Sequence, residues 1–185
     1  IETTGKLIVN SKAQKKALMQ QLLTGKKRFP QFKEDWLSGT LGDFLARIIG
    51  GGTPSRSKGQ YWVGDIPWIT VKDLVKSTIS GAKEKISKQA LDESASNIIP
   101  AGTVVVATRM AVGKSVFTTV DVAINQDLKA LIPKEGLLST YLHYWMLHHA
   151  QDIEALGTGS TVKGIQLSDL KSLGIKIPSN LDEQK

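Results

Sequence analysis

The chain has 185 residues, of which 41% are hydrophobic and 22% charged, with a formal net charge of +7. That balance excludes a disordered polymer and leaves room for one core of ordinary size plus an appendage. The lack of cysteine excludes disulfides and thiolate metal sites, and no apolar run reaches membrane-spanning or signal-peptide form, so a soluble, cytoplasmic protein with no membrane partner is expected.

The first element is a helix over residues 2–24. Proline is missing there, and Val9, Ala13, Ala17, Leu18, Leu22 and Leu23 recur at helical spacing. At 1.5 Å per residue such a helix is roughly 34 Å long. Lys12, Lys15, Lys16, Gln20 and Gln21 fall largely on its other side, and Gly25 followed by Lys26, Lys27 and Arg28 forms a stop with cations at the negative end. The narrow, alanine-bearing stripe calls for another helix at close range, in this chain or in another.

A linker over residues 29–32 leads to Trp36, Leu37, Leu41, Phe44, Leu45, Ile48 and Ile49, whose spacing predicts a short amphipathic helix closed by glycines. Gly50, Gly51 and Gly52 then permit backbone angles that a side chain forbids, and Pro54 fixes the next turn. Ser55, Arg56, Ser57 and Lys58 follow as an exposed loop of donors and positive charge. Tyr61, Trp62 and Trp68 anchor it to a strand over residues 69–71. Ser87 is a helix cap for residues 88–96. Residues 104–108, 116–120 and 128–132 read as strands, the first two joined by the loop 109–114. Ser139 opens a second helix, lined by Leu142, Met146, His149 or Ile153, and Leu156, and ended by Gly157. A hydroxyl-rich loop over 158–164, a last strand over 173–177 and a helix start capped by Ser179 or Asn180 complete the pass. The fold class expected is α+β: one globular domain with a small mixed or antiparallel sheet and helices, preceded by a long helix.

Catalytic motifs are weak. Residues 108–115 approach a phosphate-binding loop, but Thr108 stands where its first glycine is required and Ser115 leads into β-branched residues rather than a helix. His143, His148 and His149 do not share a helical face as a zinc pair would, and are expected to pack or to lie at the surface. Glu183, Gln184 and Lys185 resemble a fragment of a nuclease centre but sit where a helix cap belongs. No metal or cofactor site and no enzymatic activity of the chain's own are expected.

Positive charge is unevenly distributed. Residues 1–36 carry eight Lys or Arg against three acids and residues 53–88 seven against three, whereas residues 89–185 carry eight against ten. A solvated helix and loop account for these zones as well as an anion-binding surface does. Three loops with glycine or hydroxyl residues and cations, 53–58, 109–114 and 158–163, move the balance toward nucleic acid, where Lys, Ser and Thr hold phosphates and Arg reads base edges.

Gly51-Gly52-Thr53-Pro54-Ser55, Tyr61-Trp62, residues 65–69, the helix end over 15–26, Ile124-Asn125-Gln126, and Pro178 with Leu181, Glu183 and Gln184 together resemble the specificity subunit of type I restriction-modification systems. The resemblance runs in order through nearly the whole chain. It implies a target recognition domain over residues 29–178, preceded by the end of a conserved spacer helix (1–28) and followed by the start of a distal one (179–185), as in a fragment or a half-length subunit that pairs with a second copy. In that family two recognition domains, held apart by an antiparallel coiled coil, each read half of a bipartite double-stranded DNA site. Modification (methyltransferase) subunits and restriction subunits supply the chemistry, with S-adenosylmethionine, ATP and Mg²⁺ on those partners and none on this chain. Because family members read different sequences, Thr53, Trp68, Asn125 and Gln126 in the shared blocks are expected to be structural or phosphate-directed. Arg56, Ser57, Lys58, Lys83, Lys85, Arg109, Lys114 and Lys163 are the expected DNA contacts, the two arginines as base readers and the lysines on phosphates. The alternative from another class is an assembly adaptor that uses the long helix without touching DNA.

Overall fold

The computed structural model describes residues 2–159 and 162–185. Helix α1 (Glu2–Leu23) matches the expected span. It stops where Gly25 turns to φ 68, its N–H donating to the Leu22 carbonyl at 3.1 Å while that of Lys27 reaches the Gln21 carbonyl at 3.0 Å. The second half of α1 meets the domain: Met19, Leu22 and Leu23 are half-buried, whereas Leu7, Ile8, Val9 and Leu18 stay exposed.

The segment expected to be one amphipathic helix is instead β1 (Leu37–Thr40), the single turn α2 (Leu41–Phe44) and β2 (Leu45–Gly50). Thr40 caps α2, its Oγ1 accepting from the Asp43 N–H at 3.3 Å, but Leu45 is already extended. The reason is burial on two sides. Ile48 and Ile49 enter different cores, which adjacent residues of a strand do and those of one helix face do not.

Strand β3 (Ile66–Ile69) begins three residues before the expected one, and the short β4 (Thr78–Ile79) and β5 (Glu84–Ile86) follow. Ser87 caps α3 (Lys88–Asp92) as expected, its Oγ accepting from the Ala90 N–H at 3.2 Å. The helix closes four residues short of the expected Ser96. Then come β6 (Ile98–Ile99), β7 (Val104–Ala107), β8 (Ser115–Thr118), β9 (Val122–Ile124) and β10 (Leu128–Pro133). The second long helix is two, α4 (Ser139–His148) and α5 (Ala150–Ala155), broken at His149, whose ring stacks on Trp145 at 4.2 Å. His143 is buried against Phe117, so these two histidines pack, as the sequence suggested. Helix α6 (Leu167–Ser172) and β11 (Gly174–Ile177) follow.

The strands form two sheets and a ribbon. The five-stranded sheet runs β2-β10-β7-β8-β4, the four-stranded one β5-β3-β9-β6, and β1 pairs with β11. Pairing is antiparallel except for β4 with β8 and β3 with β9. Alternation along β7 and β9 then explains the layers. Val104 and Val106 face Leu142, Trp145 and Met146 of α4, while Val105 and Ala107 meet Val122 and Ile124 of β9 between the sheets. Ala123 points the other way, into a third cluster with Tyr61, Trp68, Ile86 and Ala90 beneath the loop 53–58. Each buried Val or Ile contributes about 1.5–3 kcal/mol, so a strand buried on both faces reads as an unbroken apolar run.

The C-terminal residues differ from the helix cap expected of Glu183 and Gln184. Residues 181–184 form turns rather than the start of a helix, closed by Asn180 Oδ1, which accepts from the Asp182 N–H at 2.9 Å. Glu183, however, takes a bidentate pair from Arg28 at 2.7 and 2.8 Å and a third bond from Trp36 Nε1 at 3.2 Å. Gln184 is buried, accepting from the Leu138 N–H and donating to the Gly136 and Pro178 carbonyls, each at 2.8 Å. Glu183 ties the residues after α1 to the C-terminal segment, and Gln184 ties that segment to the turn before α4, which together fix the direction in which α1 leaves the domain.

Gly51 shows how closely the glycine run is held. A Cβ there would lie 1.9 Å from the Ile124 carbonyl oxygen, while Gly52 N–H donates to that same oxygen at 3.1 Å. Gly51→Ala is therefore expected to lower the unfolding free energy by about 1–3 kcal/mol, the usual range for overpacking, in urea titrations. Gly81→Ala, where a Cβ meets nothing within 4 Å, is expected to change it by less than about 0.5 kcal/mol.

Candidate nucleic-acid interface

Two of the loops singled out by sequence, 53–58 and 109–114, meet at the turn 125–127, where the chain passes from β9 in the four-stranded sheet to β10 in the five-stranded one, and the third is bonded to the base of 109–114. Asn125 and Asp127 are buried and lock each other: Asn125 Nδ2 donates to Asp127 Oδ2 at 3.0 Å, and the Asp127 N–H donates to Asn125 Oδ1 at 3.2 Å. The Asp127 carbonyl accepts from the Thr108 N–H at 2.9 Å and from Thr108 Oγ1 at 3.2 Å. The base of the loop 109–114 is thereby fixed to the turn.

Arg109 extends from that base, more than half exposed, with Nη1 3.7 Å from Asp127 Oδ1. Its backbone bridges to Gly164, the Met110 N–H donates to the Lys163 carbonyl at 2.9 Å, and the Ile165 N–H donates to the Thr108 carbonyl at 2.9 Å. These bonds bring Arg109 and Lys163 together. Residues 160 and 161 of that loop lie outside the described residues. Lys114 is exposed where the loop rejoins β8, its carbonyl accepting from the Ala107 N–H at 2.8 Å, beside Gly113, whose φ of 87 and close approach to the Ala150 carbonyl leave no space for a side chain. Ser115 continues into β8, so residues 108–115 lack the helix a phosphate-binding loop requires.

The loop 53–58 touches the same turn at one end, where Thr53 Oγ1 donates to Gln126 Oε1 at 2.6 Å. Its other residues were expected to offer free cations, and here the geometry differs. Arg56 forms a bidentate pair with Glu84 at 2.5 and 3.0 Å and stacks over Trp62 at 3.5 Å from the ring centre. Lys58 donates to Tyr61 Oη at 2.6 Å and to Glu93 at 3.1 Å. Both cations hold the loop to the domain, so base reading by Arg56 would require breaking two charge-assisted bonds. Gly52 and Pro54 are buried, while residues 55–58 are exposed as expected. Ser57 stays at the surface, 2.8 Å from Ser55 through their hydroxyls. Trp68 is structural, as expected, its Nε1 donating to the Gly52 carbonyl at 3.0 Å.

Lys85 is exposed on β5, and Lys83 lines an open hollow with Lys72 and Lys76. Lys72 also acts electrostatically on Glu84, the partner of Arg56. A continuous chain of contacts thus runs from Lys163 through Arg109, the turn 125–127 and the loop 53–58 to Glu84. Sequence reasoning missed Lys72, Lys76 and, most of all, Lys129. Lys129 Nζ donates to the Gln126 carbonyl at 3.0 Å; burial pushes its ammonium pKa down, with Arg109 adding to and Asp127 opposing that shift. Met110 was missed as well. It is 61% exposed at φ 64, a backbone region costly for a side chain, and the Ala111 N–H closes the turn around it onto the Arg109 carbonyl at 2.7 Å. The basic spacing around residue 129 carries no signal in sequence, since its importance comes only from the fold.

The Lys58 network generates a pH dependence. Hydrogen bonds from Tyr61, then from Gln89 and Lys58, hold the Glu93 carboxyl down at about 2. A carboxyl depressed on folding stabilises above its unfolded pKa, and that contribution fades as pH falls from about 4.5 toward 2. Acid titration of Glu93→Gln is expected to show a shallower stability loss across this window than the parent chain, with little difference in pH dependence above pH 5.

Comparison with known proteins places this geometry in a family. The model of the type I restriction modification DNA specificity domain matches residues 33–185. The chain is 32% identical over 183 residues to the specificity subunit of the type I restriction enzyme EcoR124I/EcoR124II of Escherichia coli, covering 91% of this chain and 45% of that protein. It is 34% identical over 160 residues to the MjaIX specificity subunit of Methanocaldococcus jannaschii, covering 82% and 36%. Its fold resembles the crystal structure of the HsdS subunit from Thermoanaerobacter tengcongensis, with a TM-score of 0.67 at 20% identity over 99% of this chain and 43% of that one. The chain thus spans less than half the length of these relatives, which are specificity rather than catalytic subunits. With the family model covering most of the sequence and two curated relatives above 30% identity, the chain belongs to the type I restriction-modification DNA specificity domain family.

Proposed function

We propose that the domain reads one half of a bipartite double-stranded DNA target as part of a type I specificity subunit, and directs modification and restriction subunits to it in the cytoplasm. The observation that carries this reading is the chain of contacts that joins the loops 53–58 and 109–114 at the turn 125–127 and the loop 158–164 to the base of 109–114, which gathers Arg109, Lys129 and Lys163. Arg109 is the base reader, because its guanidinium is exposed and suited to two hydrogen bonds with guanine. Lys163, Lys114, Lys83 and Lys85 are phosphate contacts, with Ser57 beside them. Arg56 and Lys58 serve the interface by holding the loop 53–58 in shape. S-adenosylmethionine, ATP and Mg²⁺ belong to the partner subunits.

A second activity fits a different face. Exposed Leu7, Ile8, Val9 and Leu18 on α1 continue into an apolar groove of about 430 Å³ lined by Met19, Leu22, Trp36, Tyr141 and Tyr144. This is the surface for the spacer coiled coil, formed with a second helix of the same subunit or with a second copy. DNA reading and assembly then occupy separate parts of one molecule.

Duplex binding by the assembled complex is expected to weaken with salt at a logarithmic slope of about −0.9 per phosphate neutralised. Arg109→Ala should cost about 1–3 kcal/mol on the target and relax specificity at one base pair. Lys114→Ala should weaken all duplexes alike and reduce the slope by about one. An assembly that forms normally but has no salt-dependent duplex affinity would leave only the adaptor role.

A further inference from the structure

Asp127 presents an unusual combination: a side chain with 9% exposure that faces Asn125 on its buried side and the exposed Arg109 guanidinium on the other. Its backbone would be equally well served by asparagine, since the bonds to Thr108 use the Asp127 carbonyl and the bond to Asn125 Oδ1 uses its N–H. The negative charge therefore needs another explanation, because burying a carboxylate costs free energy unless it is matched. Two cations match it. Arg109 Nη1 lies 3.7 Å from Oδ1, and Asp127 also acts on Lys129, whose ammonium is tethered to the Gln126 carbonyl three residues before it in the chain. Lys129 and Arg109 repel each other, so without a carboxylate nearby the two side chains would splay apart.

Asp127 also holds residue 108 through its backbone and residue 109 through its side chain, which fixes both the position and the direction of the arginine. The strained Met110, next in the chain, shows that the hairpin is held in this form against its local preference.

We propose that Asp127 is a positioning residue that holds Arg109 and Lys129 together as a two-cation contact for duplex DNA, Arg109 at a base edge and Lys129 on a neighbouring phosphate. This rests on the DNA-recognition reading given above and adds to it a residue that never touches DNA and a phosphate contact at Lys129. A carboxylate behind an arginine leaves its outer N–H pair free for the base while removing the rotational freedom that would otherwise be lost on binding.

The test uses the full-length specificity subunit assembled with its modification subunits, with a target duplex and a set carrying single base-pair changes across the half-site. Arg109→Ala first identifies the base pair it reads. Asp127→Asn is expected to lose discrimination at that same base pair, by roughly tenfold, and to reduce the salt slope by up to about one, as Lys129 leaves its phosphate. Combined with Arg109→Ala it should lower discrimination no further, because both changes remove one contact. Lys129→Ala should reduce the salt slope by about one and leave discrimination in place. Purely structural damage would instead weaken every duplex equally, and that result overturns the proposal, as does full discrimination by Asp127→Asn where Arg109→Ala has lost it. If Arg109→Ala itself keeps full discrimination, the proposal falls because the reading beneath it has failed at Arg109. Should Asp127→Asn not fold, Asp127→Glu keeps the charge and displaces the guanidinium: lost discrimination with a normal salt slope supports the proposal, and unaltered discrimination overturns it.

Discussion

A buried carboxylate has to be matched, and the match made at Asp127 fixes much of what surrounds it. The turn 125–127 is where the chain leaves one sheet for the other, so both sheets constrain it. Asn125 closes the turn from inside, Thr108 is bonded from the neighbouring strand end, and Gln126 is left outward to meet Thr53. Through Arg109 the same turn reaches Gly164. Two loops far apart in sequence therefore take their positions from one polar junction and a third is bonded to one of them, so the surface they form follows from the packing of two sheets.

Two kinds of residue share this surface. Trp68, Ser96 and the glycine run form an anchor: Trp68 Nε1 and Ser96 Oγ both donate to the Gly52 carbonyl, at 3.0 and 2.9 Å, while Gly51 lies against the Ile124 carbonyl with no space for a side chain. These contacts are backbone-directed and carry no information about a ligand. The outward residues Ser57 and Lys114 are exposed, so their side chains can change with little effect on the core, whereas the stem of the half-buried Lys163 lies against Gly157. Such a division suits a recognition domain, in which a constant frame presents replaceable loops. The Arg56 and Lys58 ion pairs belong with the frame. Being largely exposed, they contribute modestly to stability but limit the positions open to the loop 53–58.

The sequence made some of this legible and concealed the rest for physical reasons. Helix α1 and strands β7, β8, β10 and β11 were readable because periodicity and β-branched content agree with burial there. Strand β2 was not, because Leu41, Phe44, Leu45, Ile48 and Ile49 satisfy helical spacing and the Thr40 cap is real; only the second core reveals that Ile48 and Ile49 must diverge. The break at His149 was hidden for a similar reason, since apolar spacing continues through it to Ile153. At the site, loop composition picked out Arg109 and Lys163, yet nothing in composition shows that they meet. Arg56 and Lys58 looked available because their partners, Glu84 and Glu93, are 28 and 35 residues away. Lys129 was invisible, as a single lysine in a strand pattern.

The central claim is that the surface around the turn 125–127, and not the helical arm, meets DNA. Hydrogen exchange of the assembled complex, with and without its target duplex, tests this most directly. Slowed exchange on the duplex is expected at backbone amides of residues 109–114, 126–129 and 162–164, with α1 unchanged. Protection confined to α1 and α4, with those three segments exchanging as in the free complex, would contradict it.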